Sequence, residues 1–296
     1  IVGQEKVVDL LLIALLCDGH ALIEGPPGLA KTLTAKLLAR TLRTGFSRIQ
    51  FTPDLMPSDV VGTSVFDPRT TAFEFRPGPI FSNIVLVDEI NRAPAKTQSA
   101  LFEAMEERQI TVDGKTYPLG RPFMIVATQN PIEQEGTYRL PEAQLDRFFF
   151  KIAVDYPTLE EEIRILDRAR NDRAALSVEA VQPVLGVEEL ERARALVQQV
   201  RCEEKLVRYI ASITDRTRHD GALMLGASPR ASLAILSGAR ASAAMAGRDF
   251  VTPEDVQAIA PHVLRHRVQL TPEREMEGLT PDQVIQLLVK QIEVPR

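Results

Sequence analysis

The chain has 296 residues and a formal net charge of −5 at pH 7, with 45% hydrophobic and 25% charged residues. That length suits one large domain or two ordinary ones and buries about three quarters of the unfolded surface without help from disulfides or a structural metal. The acidic balance excludes a broadly basic nucleic-acid surface. Cys17 and Cys202, far apart in sequence, argue against a disulfide scaffold or zinc cluster and fit a reducing, cytoplasmic setting. The longest uncharged apolar run, Leu10 to Cys17, is too short to span a bilayer, and no signal peptide is visible.

Short apolar runs at Ala21–Glu24, Arg48–Phe51, Ile84–Val87, Met124–Thr128 and Phe148–Val154 read as strands. Most lack polar alternation, as expected of parallel strands covered on both faces. Helical patterns at Lys6–Cys17, Thr32–Leu42 and Pro94–Arg108 lie between them. This βαβ succession predicts a three-layer αβα fold on a parallel sheet. Two inserts interrupt it. Val60–Arg76 alternates around Asp67-Pro68-Arg69, and Gln109–Tyr117 alternates around Asp113-Gly114, a two-residue hairpin turn. Beyond Tyr156-Pro157 no strand is expected. Instead, helices start at a Thr158/Glu161 capping box and at Ser228-Pro229, Thr252-Pro253 and Thr280-Pro281. Asn171–Pro183 reads as a linker, so the expected division is an αβα core over residues 1–182 and a smaller all-α domain over residues 183–296. A start at Ile1 rather than Met, and an equally abrupt end, read as trimmed termini.

Gly25-Pro26-Pro27-Gly28-Leu29-Ala30-Lys31-Thr32 follows a strand and opens a helix. A phosphate-binding loop needs that setting: glycines bring backbone amides close to phosphate, and the helix dipole adds positive potential. Lys31 would reach the β- and γ-phosphates and Thr32 would ligate Mg²⁺. Ala30 stands where a third glycine is usual. It keeps the amide and tolerates helical dihedrals, at the expense of a more crowded approach. The competing interpretation is a plain Gly/Pro turn. Further on, Ile84–Val87 ends in Asp88 and Glu89, acids at a strand's carboxyl end. Asp88 can hold Mg²⁺ through its water shell and Glu89 can activate water. A buried strand simply meeting a polar loop would look the same.

Taken together, the motifs resemble the AAA+ ATPases and, within them, the MoxR branch. The resemblance runs from Ile1-Val-Gly-Gln-Glu5 through the Ala30-bearing phosphate loop, Asp88–Pro94, Ala127–Pro131 and Leu140–Phe148 to Gly226–Arg230. The two hairpins are similar to the helix-2 insert and pre-sensor-1 hairpin of that clade. The resemblance implies that Val2 and Gly3 belong to an adenine-side box and that Gly25 through Leu33 cradle the nucleotide. Asn130 would be sensor 1, Arg147 an arginine finger serving a neighbouring subunit, and Arg230 sensor 2 on the helical lid. Arg139 is a second candidate for contact in trans. A surface ion pair to Asp146 or Glu142 is the rival account of Arg147, an Asn-Pro turn that of Asn130, and a solvated helix-end arginine that of Arg230.

The function so implied is Mg²⁺-dependent ATP hydrolysis, with ATP or ADP bound, by a homo-oligomeric ring, expected to be a hexamer. Lid and core motion would remodel or mature a client protein, often together with a partner carrying a von Willebrand factor A domain. Nucleic-acid binding and membrane insertion are not expected. A nucleic-acid motor, a magnesium-chelatase-like subunit and a nucleotide switch without turnover remain as alternatives. His262 and His266, at helical i,i+4 spacing, read as surface residues rather than a metal site, and Phe66, Phe73, Phe75 and Tyr117 as hairpin packing rather than pore aromatics.

Overall fold

The β-strands gather where the apolar runs leave no polar face. In the computed structural model, which describes residues 1–131, 138, 140–171 and 181–295, every residue of one such run, Ile84–Asp88, is buried. The chain folds into two compact units. One comprises Ile1–Leu12, His20–Leu140 and Ile152–Leu190, the other Ile13–Gly19, Pro141–Lys151 and Glu191–Arg296.

From its start the chain runs in the order α1 (Glu5–Leu16), whose last turn belongs to the second unit, β1 (Ala21–Glu24), α2 (Lys31–Thr41), β2 (Phe46–Gln50), α3 (Pro57–Val61), β3 (Gly62–Asp67), β4 (Ala72–Pro77), β5 (Ile84–Asp88), α4 (Ala95–Glu107), β6 (Gln109–Val112), β7 (Lys115–Pro118) and β8 (Met124–Gln129). After α5 (Glu142–Leu145), β9 (Phe150–Ala153) completes a five-stranded sheet in the order β2-β5-β8-β1-β9, and α6 (Leu159–Asn171) follows. The sheet is parallel and flanked by helices, the αβα core that the alternation predicts. Its central strands are aligned Ile84↔Met124 through Val87↔Ala127, and Ala21↔Val126 through Glu24↔Gln129. This register brings the carboxyl ends of β1, β5 and β8 to one edge, where ligands of open α/β sheets bind.

Both expected hairpins form. In β6–β7, Asp113 (φ 51°) and Gly114 (φ 74°) both lie in the positive-φ region, as the turn signal demands. In β3–β4, Phe66 lies directly opposite Phe73 and the two exposed rings meet edge-on at 5.4 Å. Phe75 and Tyr117 stack at 4.2 Å, joining one hairpin to the other. The expectation of packing therefore holds for Phe75 and Tyr117, whereas Phe73, 73% exposed, is not covered.

The second unit contains most of α7 (Val187–Gln199), then α8 (Glu204–His219), β10 (Leu223–Leu225), α9 (Pro229–Met245), α10 (Pro253–Leu264), β11 (Gln269–Leu270), α11 (Pro272–Met276) and α12 (Pro281–Gln291). Its helices start as the sequence indicates, with proline in the first turn of α9, α10 and α12. The Thr280 hydroxyl accepts from the Gln283 amide while Gln283 Oε1 accepts from the Thr280 amide at 2.9 Å. The expectation of no strand beyond Tyr156 is corrected by the β10–β11 antiparallel ribbon. Strands of three and two residues are too short to show alternation. His262 and His266 are also corrected: both are buried. Of the expected linker, residues 172–180 lie outside the described residues; Val184 N then bonds the Thr41 carbonyl at 2.8 Å, fastening the chain to the end of α2. No helix among the described residues is long and apolar enough to cross a membrane.

Candidate active site at the phosphate loop

The loop between β1 and α2 owes its glycines to more than one constraint. A Cβ on Gly25 would meet the Val154 carbonyl oxygen at 2.4 Å, so that glycine is required by the chain just past β9. Gly28, at φ +83°, has open space where its Cβ would be. Ala30, which the sequence suggests has helical dihedrals, is left-handed at φ 54°, ψ 21°. A side chain in that region costs about 1–2 kcal/mol. From this strained position the Ala30 carbonyl accepts the first helical bond of α2, from Thr34 N at 2.8 Å. Gln4 secures the loop from outside: Nε2 donates to the Leu29 carbonyl at 2.5 Å, and Oε1 accepts the Thr34 hydroxyl at 2.6 Å. It thereby ties the Val2-Gly3 segment to the phosphate loop. Gly3, at φ +72°, lies against the Glu161 carboxylate.

A cavity of about 520 Å³ opens over the loop, lined by Pro27 through Leu33, Lys36, Arg48, Gln50, Asp88, Glu89 and Thr128 through Asn130. Lys31 Nζ donates to the Gly25 carbonyl, to Pro26 O at 3.1 Å and to Gln129 O at 3.3 Å, which joins the loop to the end of β8. Asp88, 3% exposed, accepts three donors. The hydroxyls of Thr32 and Thr128 each donate to Oδ1 at 3.0 Å, and Arg48 Nε donates to Oδ2 at 2.7 Å. Glu89 sits in a left-handed conformation, φ 58°, ψ 51°. Its amide donates to Thr128 Oγ1 at 3.1 Å, and its Oε2 accepts from Gln50 Nε2 at 2.8 Å and pairs with Arg92 Nε at 3.2 Å. Arg48 Nη2 also donates to Gln50 Oε1 at 3.1 Å. Strain of this kind is held in place where surrounding bonds over-determine the backbone.

The structure thus brings Lys31, Thr32, Asp88, Glu89 and Asn130, the last 7% exposed, to one cavity in the first unit. Arg147 and Arg230 belong to the second unit. Arg230 is exposed in the first turn of α9. Arg147 follows Asp146, whose carboxylate pairs at 2.6 Å with Arg267. Arg267 is 8% exposed and further donates to Asp146 O at 2.9 Å, Phe148 O at 2.6 Å and Val263 O at 2.7 Å, so it clamps the loop on both sides of Arg147. Arg139 lies outside the described residues.

Sequence reasoning missed Arg48, Gln50 and Thr128. The first two project alternately from β2 with Ile49 buried between them, and β2 pairs with β5 so that Gln50 is opposite Asp88. Two polar residues at i and i+2 on the strand beside the acids were the available signal. Thr128, a lone hydroxyl ending an apolar run, was another.

Residues 20–150 match the family described as ATPase family associated with various cellular activities (AAA), and residues 215–288 match the AAA lid domain. The chain is 46% identical over 294 residues to Uncharacterized protein YeaC of Bacillus subtilis (strain 168), covering 99% of this chain and 91% of that protein. To Chaperone MoxR1 of Mycobacterium tuberculosis it is 43% identical over 305 residues, covering 100% of this chain and 80% of the relative. A crystal structure from Cytophaga hutchinsonii ATCC 33406, described provisionally as an ATPase, superposes with a TM-score of 0.90 at 41% identity and covers 100% of this chain and 92% of that one.

Proposed function

The chain belongs to the MoxR family of AAA+ ATPases, and from that premise we propose that it hydrolyses Mg²⁺-bound ATP and uses the cycle to remodel or mature a partner protein. The observation that carries the reading is the convergence of Lys31, Thr32, Asp88 and Glu89 at the start of α2. The residues present fit a hydrated Mg²⁺. The Thr32 hydroxyl and Asp88 carboxylate are hard oxygen donors 3.0 Å apart, and Mg²⁺ prefers a few such ligands with water and phosphate filling its octahedron. When bound, the ion supplies charge neutralisation at the β- and γ-phosphates.

Loop amides from Gly25 to Thr32 and the positive end of α2 hold the phosphates, and Lys31 exchanges its carbonyl partners for phosphate oxygens. Glu89 accepts a proton from the attacking water, which Asn130 orients. Arg230 senses the γ-phosphate from the lid. Arg147 reaches the nucleotide of a neighbour in a homo-oligomeric, hexameric ring, since a guanidinium is always charged and forks onto phosphate oxygens. Val2 and Gly3 line the adenine side. Residues 1–182 act as the nucleotide core and residues 183–296 as the lid. A client, or a partner with a von Willebrand factor A domain, receives the motion through the hairpins. The relative named Chaperone MoxR1 supports a client-directed role.

Glu89→Gln tests the reading. It should bind ATP with near-normal affinity while turnover falls by about a hundredfold or more, the usual loss of a general base. Wild-type turnover by this variant would remove Glu89 from its role. The same variant, held with ATP bound, is the form in which a client should stay attached long enough to be identified.

A further inference from the structure

The carboxylate that holds the metal's water shell in the reading above is already occupied. Asp88 Oδ2 accepts the Arg48 guanidinium at 2.7 Å, and Arg48 comes from the sheet's edge strand, 40 residues earlier in the chain. Asp88 Oδ1 carries the hydroxyls of Thr32 and Thr128, so three donors already engage the two oxygens. The side chains in this ion pair are unequal: Asp88 is 5% exposed and Arg48 45%. The carboxylate is fixed by its surroundings, whereas the guanidinium has solvent to move into. Arg48 and the Thr32 hydroxyl also line the same cavity, so a divalent cation at Thr32 would lie within a few ångströms of a positive charge bonded to the same carboxylate. Two cations that close in a partly desolvated cleft repel strongly.

We infer that Arg48 is a positioning residue that competes with the metal for Asp88. It neutralises the buried carboxylate when the nucleotide is absent and swings outward when a metal–nucleotide complex occupies the loop. Removing its charge should therefore make the metal bind more tightly, the reverse of what losing a ligand or a structural contact does. Arg48 thereby weakens metal binding in exchange for a paired Asp88 in the empty site, since an unpaired buried carboxylate is costly. This inference rests on the nucleotide-binding reading of the site.

The test is a Mn²⁺ titration followed by electron paramagnetic resonance in the presence of ADP, comparing wild type with Arg48→Met, which keeps the stem and loses the charge. The half-saturating Mn²⁺ concentration should fall about five- to tenfold in Arg48→Met, the scale of a half-exposed charge-assisted pair. Arg48→Lys, which retains the charge but not the fork, should fall between. Unchanged or weaker Mn²⁺ binding by a folded Arg48→Met protein would overturn the inference. If Arg48→Met does not fold, the Arg48→Lys titration decides, tighter binding supporting the inference and unchanged or weaker binding overturning it. A wild-type protein that binds no Mn²⁺ with ADP overturns the nucleotide reading and this inference together. A wild-type signal that the substitutions leave in place overturns this inference alone.

Discussion

Burial gives His266 one hydrogen bond, from Nε2 to the Phe148 carbonyl at 3.0 Å, and leaves Nδ1 without a partner among the described residues. Desolvation first, then the positive charges of Arg267, Lys151 and Arg265, push its pKa well below the ordinary value of 6.5. Above about pH 6.5 both the folded and unfolded imidazoles are neutral; below it the unfolded chain binds a proton that the native state refuses. Stability therefore declines as pH falls from about 6.5, by up to ~1.4 kcal/mol per pH unit from this group. Melting temperatures between pH 7 and 5 should fall less steeply for His266→Gln, which retains a donor for Phe148; an unchanged slope would acquit the histidine. None of this is legible in sequence, where an i,i+4 histidine pair on a helix resembles a solvated face. Ala30 has the same opacity. Its identity was plain, but its left-handed backbone is imposed by the turn from β1 into α2. By contrast Lys31, Thr32, Asp88 and Glu89 were legible because loop and strand chemistry is written in contiguous residues.

At the level of elements, the sheet and both hairpins were readable because buried strands and Asp-Gly turns leave local signals. What joins elements was not. Arg48 and Gln50 meet Asp88 and Glu89 only because β2 aligns with β5, a register set by their partners rather than by either strand's own sequence. The Phe75–Tyr117 stack likewise depends on two hairpins folding side by side. If that stack couples them, the double-mutant cycle of Phe75→Ala and Tyr117→Ala, read by denaturant unfolding, should give about 0.5–1.5 kcal/mol of interaction energy. Additive losses would mean the hairpins behave independently. Gly62 and Gly78 reinforce the point: a Cβ on either would strike the other's backbone amide at 2.6 or 2.5 Å. The root of β3–β4 is therefore a neck of closely approaching backbone that admits no side chain at either position.

For the whole molecule, the two compact units are not contiguous stretches of sequence. Residues 13–19 and 141–151 join the helical unit from well before its main stretch, Glu191–Arg296, an arrangement that no composition boundary marks. This matters for Arg147. If it serves a neighbour, Arg147→Ala and Lys31→Ala subunits, inactive apart, should regain about a quarter of wild-type ATPase activity in an equal mixture, because a quarter of the heterologous interfaces then unite two intact partners. Mixtures no more active than their parts would remove the trans assignment. The clamp that Arg267 places around Asp146 and Phe148 adds a consequence of its own. It fastens the segment carrying Arg147 to residues of the same compact unit that carries Arg230. If Arg147 serves a neighbour and Arg230 answers to its own subunit's nucleotide, any movement of that unit re-aims both arginines in the same stroke. In a ring assembled on that basis, signals pass from subunit to subunit by leverage alone, with no chain of intermediary side chains.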